Sequence, residues 1–402
     1  MTVPQHLLVI NFHFDPDSYG GATIVANSVA HHIAKTGIRV SAIATMHDVT
    51  LPPYTVVRSL RGAVETYRLN LPGTGGALGP GYRDPAVDAR MAELITHLQP
   101  DLVHAHCLQG LGIGVLHDLE ARNIPFILSI HDYWWICQRQ FMVRPTGRYC
   151  GQDPVRVENC AGCVPQLAEA KQRFEALRAI AARAQAITYP SRFTQNLCAR
   201  SGLTAPRQVY WENGITGPGK DFFDTQADWR AKRQRVTFGY VGGPSFVKGW
   251  PLVRAAFQKL RRNDLDGVIV DASADGSLWS PGMLSGMNGN WQIRPRYSQA
   301  GMDGFFAEID VLLFVSQWRE AFGLTACEAF SRGVRVIQTA GGASSEHAGA
   351  DPNRQLPLGA PPSELAAMIH HELDHPNAHP QPQAFRSFEA QAEEFLTLIG
   401  SL

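Results

Sequence analysis

The segment "DVLLFVSQWREAFGLTACEAFSRGVRVIQTA", residues 310–340, carries the pattern that decides the fold. A short apolar run, "DVLLFVS", is followed by a Phe-Gly turn, a helix-length segment "LTACEAFSRG" and a second apolar run, "VRVIQTA". Apolar runs of this length without polar alternation are typical of strands that are buried on both faces. Two such strands joined by a helix predict part of a parallel sheet that is covered by helices.

The same alternation extends over the rest of the chain in two blocks. The expected strands lie at 6–12, 39–45, 101–107, 125–132 and 185–191, and then at 236–242, 266–273, 291–297, 310–316 and 334–340. The clearest helical patterns lie at 22–36, 85–98, 251–262 and 324–333. The sequence therefore predicts an α/β protein with two tandem Rossmann-like, doubly wound domains that face each other across a cleft, where ligands of such sheets bind.

The density of Gly, Pro and Asp in 205–235 is typical of a connector, and we place the domain boundary near Asn213. The expected divisions are an N-terminal domain at 1–212, a C-terminal domain at 213–383, and a final helix at 384–402 that packs back on the first domain. A polar, cysteine-containing insert at about 137–165 interrupts the first domain.

Composition narrows the class of protein. A chain of 402 residues favours two domains over one core. Lys plus Arg equals Asp plus Glu at 36 each, which argues against a nucleic-acid-binding protein, since such proteins present a basic face. The start of the chain lacks the features of a signal peptide, and no apolar run is long enough to span a bilayer. The seven cysteines are an odd number, which argues against a framework of disulfides. We expect a cytoplasmic protein.

In each block, the first strand is followed by one glycine-rich turn. Gly20 and Gly21 open a helix, where unpaired N–H groups can meet a phosphate or a sugar hydroxyl. Gly242 and Gly243 turn the chain ahead of Lys248, whose ammonium group can reach a diphosphate as a point charge. The alternatives are a tight strand-to-helix turn in the first case and a solvated surface lysine in the second.

Two carboxylates flank the Phe-Gly turn of the opening segment. Glu320 precedes the turn and can lean over a ligand, whereas Glu328 lies further along the helix and suits a diol such as a ribose, because a carboxylate accepts from two hydroxyls. The N–H groups expected to point at an anion are those of Gly323, Leu324 and Thr325. The alternative is structural: Glu328 and Arg332 are spaced as an i,i+4 ion pair, and Glu320 could cap the helix.

The insert contains four of the cysteines. These are Cys137, Cys150, Cys160 and Cys163, and the last two form a "CAGC" pair with the spacing of a zinc knuckle. Four thiolates suffice for a closed, non-catalytic zinc site, while unligated thiols or local disulfides are equally open. Two Asp-x-Asp matches, at 15–17 and 264–266, are short enough to occur by chance, and we expect neither to bind a catalytic metal.

The ordered set of motifs resembles a known family. "REAFGLTACEA" looks like the Glu-x7-Glu motif of the retaining glycosyltransferase family with the GT-B fold that is called family four. The stretches "YGGA", "IHDYWW", "YPSRFTQNL", "ENGI", "GYVGGPSFVKGW" and "TAGGASSEH" resemble the same family in the same order, so the resemblance covers essentially the whole chain.

The resemblance implies roles for individual residues. The catalytic residues would be Glu320 at the sugar hydroxyls, His131 at the donor sugar and Lys248 at the diphosphate. Donor binding would also involve Gly20, Gly21, Gly243, Glu328 at the ribose, and the amides of Phe322, Gly323, Leu324 and Thr325. Many members carry arginine where this chain has Gly243, so either Lys248 bears more of the diphosphate charge or Arg296 or Arg319 substitutes.

The reaction implied is metal-independent transfer of a glycosyl group from a nucleoside-diphosphate sugar to an acceptor hydroxyl with retention, in glycan, polysaccharide or glycoconjugate synthesis. Because the sequence shows no clear carboxylate for a double displacement, same-face attack is favoured. The alternatives are a nucleotide-sugar epimerase of the same fold and an inactive nucleotide-sugar-binding protein. The acceptor (a glycan, a lipid-linked sugar or a small molecule), contact with a membrane surface and the oligomeric state stay open.

Overall fold

The computed structural model describes residues 4–16, 20–72, 81–273 and 276–402. The chain divides into two compact units. The first unit comprises residues 1–142, 151–214 and 388–402, and the second comprises 143–150 and 215–387. In the described part of the chain, no helix is both long and apolar enough to cross a membrane.

The first unit is built on a sheet in which eight strands are described. The strands are β1 His6–Ile10, β2 Arg39–Met46, β3 Val56–Arg61, β4 Val64–Asn70, β5 Leu102–Ala105, β6 Phe126–Ser129, β7 Ala186–Tyr189 and β8 Gln208–Tyr210. Their spatial order is β3-β4-β2-β1-β5-β6-β7-β8, and all neighbours pair in parallel except β3 with β4. The central strands are buried along their whole length, as expected for a sheet with helices on both faces.

Helices cover this first sheet. They are α1 Gly21–Ala34, α2 Pro85–Leu98, α3 Gly114–Ala121, α4 Leu167–Ala181 and α5 Arg192–Arg200. The last helix of the chain, Phe388–Gly400, also belongs to this unit and packs on α1. Its Phe395 stacks on His104, with ring centroids 4.2 Å apart, and its Gln391 carbonyl accepts a hydrogen bond from the Trp211 indole at 3.1 Å.

The second unit contains a parallel sheet in which six strands are described. The strands are β9 Val236–Val241, β10 Leu265–Val270, β11 Asn290–Arg294, β12 Val311–Phe314, β13 Arg335–Thr339 and β14 Gln355–Leu356. Their spatial order is β11-β10-β9-β12-β13-β14. The helices are α6 Phe222–Lys232, α7 Trp250–Lys259, α8 Met302–Ala307, α9 Leu324–Phe330 and α10 Pro362–Asp374, and the C-terminal helix of the first unit is α11. The first unit contains a short 3-10 turn at Val157–Cys160. The second unit contains short 3-10 turns at Pro281–Leu284, Gln299–Gly301, Ala343–Ser345 and Pro352–Arg354.

Two apolar clusters hold the second sheet between its helices. One face is covered by α7 and α10, whose side chains pack on Phe238, Leu313 and Ile337. The other face is covered by α6, α8 and α9, which bury Val268, Leu312 and their neighbours. In the central strands β9, β12 and β13, which are apolar on both faces, the polar side chains lie near the strand ends.

The structure differs from the sequence-based expectation in two segments. Residues 205–235 are not only a connector, since they contain β8 and the three turns of α6, which the density of Gly and Pro around them obscured. The antiparallel hairpin of β3 and β4 was not predicted, because β3 lies at the edge of the sheet and most of its side chains are partly or fully exposed. Residues 143–150 of the insert form a small hairpin that belongs to the second unit, with Val143 bridged to Tyr149.

Candidate active site

Two loops at the carboxyl end of the second sheet are fastened to each other. The loop after β9 ends at Gly249, and the loop after β12 begins at Val315. The Gln317 amide donates to the Val247 carbonyl at 2.8 Å. Gly249 has a φ of +79°, and a Cβ atom there would lie 2.0 Å from the Val315 carbonyl oxygen. Only glycine fits this approach, so the two loops are held in contact by backbone geometry.

This contact brings together the side chains of Lys248 and Glu320. The Lys248 ammonium donates to Glu320 Oε1 at 3.0 Å, and the Ser316 hydroxyl donates to the same oxygen at 2.6 Å. Glu320 is buried, whereas 40% of the Lys248 side chain is exposed. The ammonium also lies 6.0 Å from the centre of the Trp318 ring. A buried carboxylate that is held by two donors beside an accessible cation can orient a polar ligand.

Glu328 lies on α9, which begins after Gly323. Gly323 has a φ of +94°, and a Cβ atom there would lie 3.1 Å from the Phe314 ring. The Glu328 side chain is buried, and no described residue donates a hydrogen bond to its carboxylate. Burial raises the pKa of Glu328 to about 7, against the opposing charge of Arg332. A buried carboxyl group without donors is a costly arrangement that a ligand with hydroxyl groups would relieve.

The structural alternatives for the two glutamates do not match the observed contacts. The fully buried Arg332 donates to the Asp303 carboxylate at 2.7 Å and to the carbonyls of Thr216 and Gly217, but toward Glu328 it donates only to the backbone carbonyl. The N-cap of α9 is Gly323, without a hydrogen bond from a side chain, so Glu320 does not cap the helix.

A third loop, after β13, meets the same region through Arg319. A Cβ atom at Gly342, which has a φ of +74°, would lie 2.9 Å from Arg319 Cβ, so the backbone packs directly on this side chain. The guanidinium of Arg319 lies 5.8 Å from the centre of the Tyr149 ring, on the hairpin at 143–150. Phe246 lies under the turn of that hairpin, 3.2 Å from a Cβ built at Gly147. The insert therefore contributes side chains to the same edge of the second sheet.

Gly243 is not required by backbone conformation. A Cβ atom there would be in ordinary contact with Leu278, at 3.7 Å, whereas the preceding Gly242 has a φ of +147°. The Gly243 carbonyl accepts a hydrogen bond from the Tyr240 hydroxyl at 3.2 Å. A side chain can therefore be placed at position 243 without strain.

In the first unit, Gly20 and Gly21 lie at the start of α1. Gly20 is the N-cap with a φ of +89°, its surroundings are open, and its carbonyl accepts from the Ile24 amide at 3.1 Å. Asp17 and the two residues between it and Gly20 lie outside the described residues. The turn predicted from the glycine pair is present, and its binding role stays a prediction.

His131 follows β6 and contacts a second histidine. Its Nε2 lies 2.8 Å from Nδ1 of His106, and burial lowers the pKa of His131 to about 4. His106 and His104 were missed as candidates at the sequence level. The signal was the "HAH" triplet, since alternate residues point to the same face of a strand and β5 lies beside β6.

The four cysteines of the insert are assigned to different units of the chain. Cys137, Cys160 and Cys163 line one small cavity of the first unit together with Arg173, whereas Cys150 belongs to the second unit. Within the described ranges, no group of three or more Cys, His, Asp or Glu side chains is arranged to hold a metal ion. Zinc binding by the four cysteines therefore stays a prediction of the sequence.

Comparison with known proteins agrees with this architecture. Residues 20–214 match the model of a family described as the glycosyl transferase 4-like domain. No curated protein sequence is significantly similar to the chain.

Solved structures match over both units. Sucrose-phosphate synthase from Thermosynechococcus elongatus is 17% identical, with a TM-score of 0.65 over 98% of this chain and 94% of that one. HepE of Anabaena, in complex with UDP and glucose, is 16% identical, with a TM-score of 0.67 over 98% and 99%. A glycosyltransferase from Rickettsia africae is 13% identical, with a TM-score of 0.56 over 98% and 93%. The chain therefore has the GT-B fold of these glycosyltransferases, and its first unit is similar to a glycosyl transferase 4-like domain.

Proposed function

We propose that the protein is a retaining glycosyltransferase that moves a sugar from a nucleoside-diphosphate sugar to an acceptor hydroxyl. The observation that carries the proposal is the contrast between two carboxylates at one edge of the second sheet. Glu320 is held by Lys248 and Ser316, whereas the buried Glu328 has no donor among the described residues. Their spacing along the chain suits a ligand that has hydroxyl groups at two places and a negative charge between them. A nucleoside-diphosphate sugar is such a molecule, and the complex of the structurally similar HepE with UDP and glucose supports this ligand class.

Glu328 is assigned to the ribose. An ionised carboxylate accepts from both hydroxyls of a diol, and such hydrogen bonds favour the charged form. Burial raises the pKa of the Glu328 carboxyl group to about 7. Binding of the ribose would therefore lower this pKa and release a proton.

The diphosphate needs more positive charge than Lys248 alone supplies. Lys248 is already paired with Glu320, so the net charge of that pair is zero. Of the two substitutes for the arginine replaced by Gly243, Arg319 is favoured, because it is the neighbour of Glu320 and is packed between the loop after β13 and Tyr149. Arg296 is exposed in the segment after the edge strand β11.

The proposed chemical step is attack on the face from which the nucleoside diphosphate leaves. The bond between the anomeric carbon and the phosphate oxygen breaks, the acceptor oxygen bonds to that carbon, and the acceptor proton passes to the departing phosphate. Lys248 and Arg319 stabilise the charge that develops on this leaving group. Glu320 is not assigned as the nucleophile, because hydrogen bonds from two donors to its Oε1 lower the basicity of the carboxylate. A covalent sugar adduct on Glu320, trapped with a slow donor and detected by mass spectrometry, would overturn this step.

We further propose that catalysis needs no metal ion, because side-chain cations take the place of a divalent ion at the diphosphate. Turnover should be unchanged after exhaustive treatment with EDTA. Loss of turnover that Mg²⁺ or Mn²⁺ restores would refute this part of the proposal.

A thermal-shift panel of nucleoside diphosphates and their sugars tests ligand class first. A ligand that binds only the folded state raises the melting temperature by mass action. We expect one base to give a clear shift, and the sugar nucleotide to bind at least as well as the free diphosphate. If no member of the panel shifts the melting temperature at millimolar concentration, the proposed ligand class is wrong.

The substitution Gly243→Arg sharpens this test. The position accepts a side chain, and a guanidinium there can donate to a phosphate. We expect the diphosphate to bind about tenfold or more tightly, the effect of one charged hydrogen bond. Gly243→Gln is the matched uncharged control, and equal affinities of the two variants would contradict a phosphate at this position.

A nucleotide-sugar-binding protein without transferase activity is the second candidate, and Gly243 in place of an arginine favours it. An epimerase of the same fold would use the same contacts. Donor consumption with and without an acceptor separates the three: the transferase forms a glycoside, the epimerase isomerises the donor alone, and the binding protein does neither.

A further inference from the structure

The contact between His106 and His131 joins two imidazole rings in the first unit. Nδ1 of His106 lies 2.8 Å from Nε2 of His131, and the rings are nearly parallel, with centroids 5.1 Å apart. His106 is 1% exposed, whereas His131 is partly exposed. The backbone amide of His106 donates to the Ile10 carbonyl at 2.8 Å, so the histidine is anchored to the central strand β1.

Both rings are neutral near pH 7. Burial lowers the pKa of His131 to about 4 and the pKa of His106 to well below its ordinary value. The neighbouring His104 is also buried, its pKa is lowered to about 3, and its Nε2 contacts the Ser129 hydroxyl at 2.7 Å. A hydrogen bond between two neutral imidazoles contains a single proton, which belongs to one of the two facing nitrogens.

The remaining nitrogen of His106 decides where that proton lies. His106 Nε2 is buried and has no hydrogen-bond partner among the described residues. If His131 donated, His106 would carry its own proton on this buried Nε2, and a buried N–H group would be left without an acceptor. If His106 Nδ1 donates, Nε2 is only a bare lone pair. Unpaired buried N–H groups are rarer in proteins than under-used acceptors, so the second arrangement is favoured.

We propose that His106 is a positioning residue that donates its Nδ1 proton to His131 Nε2, and thereby holds His131 in the tautomer that has its proton on Nδ1. His131 then presents an N–H donor at the nitrogen that does not face His106. The group that it recognises is an oxygen lone pair, such as that of a sugar hydroxyl, a ring oxygen or a phosphate. In this tautomer His131 has no free lone pair, so it cannot accept a proton as a general base.

The tautomer can be measured on the free protein, independently of any substrate. Nitrogen-15 labelling with long-range nitrogen–proton correlation distinguishes a protonated from an unprotonated ring nitrogen. We expect His131 to be protonated at Nδ1 and unprotonated at Nε2, with His106 showing the same pattern. A spectrum with the proton on His131 Nε2 would overturn the proposal.

Two variants of His106 separate positioning from packing. His106→Asn keeps an N–H donor near the position of Nδ1 and should preserve the His131 tautomer. His106→Leu fills a similar volume without a donor and should release it, giving a mixture of tautomers. If the His106→Leu variant is folded and His131 keeps its proton on Nδ1, the positioning role is refuted. If His106→Leu does not fold, the spectra of the wild type and of His106→Asn still decide the outcome.

The consequence for ligand binding rests on the proposed function. The amide nitrogen of asparagine is a substitute for Nδ1–H, and that of glutamine for Nε2–H, so His131→Asn should retain more affinity for the donor sugar nucleotide than His131→Gln. We expect the difference to be about tenfold, which is the effect of one hydrogen bond. If the wild type binds no sugar nucleotide, the proposed function fails while the tautomer stands. If it binds and glutamine is the better substitute, the donor role of His131 fails.

Discussion

The two ends of the second sheet bury charged side chains in opposite ways. At the amino end, Asp310 and Arg335 are fully buried, and each forms ion pairs with charged side chains of the protein. Asp310 accepts from Arg233 at 2.9 Å and from the Thr237 amide at 3.0 Å, while Arg335 donates to Glu372 at 2.8 Å. At the carboxyl end, the equally buried Glu328 has no donor among the described residues.

We interpret this contrast as the difference between a structural role and a proposed binding role within one fold. A buried charge with complete pairing is held in place by its partners, and the loss of one partner leaves the other uncompensated. A buried carboxyl group without partners lowers the stability of the fold. Such a group is retained at sites where a ligand supplies the missing hydrogen bonds. We therefore propose that the unmet hydrogen-bonding capacity of Glu328, rather than its charge alone, marks the binding end of the sheet.

The largest expected effect is the loss of a partner at the amino end. Arg335→Met leaves Glu372 and Asp310 with fewer donors in a buried position, and we expect the free energy of unfolding to fall by about 3–5 kcal/mol. Urea denaturation at pH 8 followed by tryptophan fluorescence measures this change.

The matched control is Glu328→Gln at the other end. Burial raises the folded pKa of Glu328 to about 7, so its contribution to stability is present below the unfolded value and is lost as pH rises through 7. At pH 8 a neutral glutamine should therefore be no less stable than the wild type. Equal losses in the two variants would show that the two ends do not differ as described.

The second effect concerns the contact that creates the carboxyl-end site. Gly249→Ala places a Cβ atom 2.0 Å from the Val315 carbonyl in a left-handed conformation, so the loops after β9 and β12 must separate. We expect a loss of about 1–3 kcal/mol in stability from strain, together with loss of nucleotide binding. Gly37→Ala, whose φ is also positive at +92° but whose surroundings are open, is the control for strain alone. An unchanged affinity in Gly249→Ala would contradict a role for the Lys248–Glu320 contact.

The overall architecture followed from the sequence, since the fold prediction is confirmed. The segment at 310–340 folds as strand, turn, helix and strand because its apolar residues fill both faces of a parallel sheet. Both glycine turns of the sequence-based prediction also begin helices where expected, at Gly21 and shortly after Lys248.

The chemical environment of the site did not follow from the sequence. The contact between Lys248 and Glu320 depends on a backbone approach between two loops, at Gly249 and Val315, that are distant along the chain. No local pattern in the sequence predicts that Tyr149 belongs to the second unit. Periodicity indicates which face of an element is buried, but not which sheet a hairpin will join. Glu328 was identified by spacing, but its lack of donors follows from where Arg332 binds.

The third effect is a pH dependence of nucleotide binding. Both ribose hydroxyls donate best to the ionised form of Glu328, because the protonated form loses part of its acceptor capacity, and the ionised form becomes the major one above pH 7. Affinity for a nucleoside diphosphate should therefore rise with pH below 7, by at most about tenfold per pH unit, and level off above it. Calorimetry in buffers of different ionisation enthalpy should show a proton released on binding near pH 6.

The variant Glu328→Gln isolates this contribution. The phosphates of the ligand also titrate near pH 6, but they do so equally with both proteins. The difference between wild type and variant belongs to Glu328 alone. If the two proteins show the same pH dependence, the ribose is not bound by Glu328.

The smallest effect tests whether burial, rather than location at the amino end, determines how much the ion pairs contribute to the free energy of unfolding. Arg262 lies at this end and donates to Asp374 at 2.5 Å and to Asp264 at 2.6 Å, but more than half of each carboxylate side chain is exposed. Asp374→Asn should lower the free energy of unfolding by no more than about 1 kcal/mol, because solvent and salt screen exposed pairs. Raising the salt concentration should remove most of this difference while the penalty of Arg335→Met persists. If Asp374→Asn caused a salt-resistant loss of stability as large as that of Arg335→Met, the exposed and the buried ion pairs of the amino end would form one network. Exposure would then not determine the contribution of each pair.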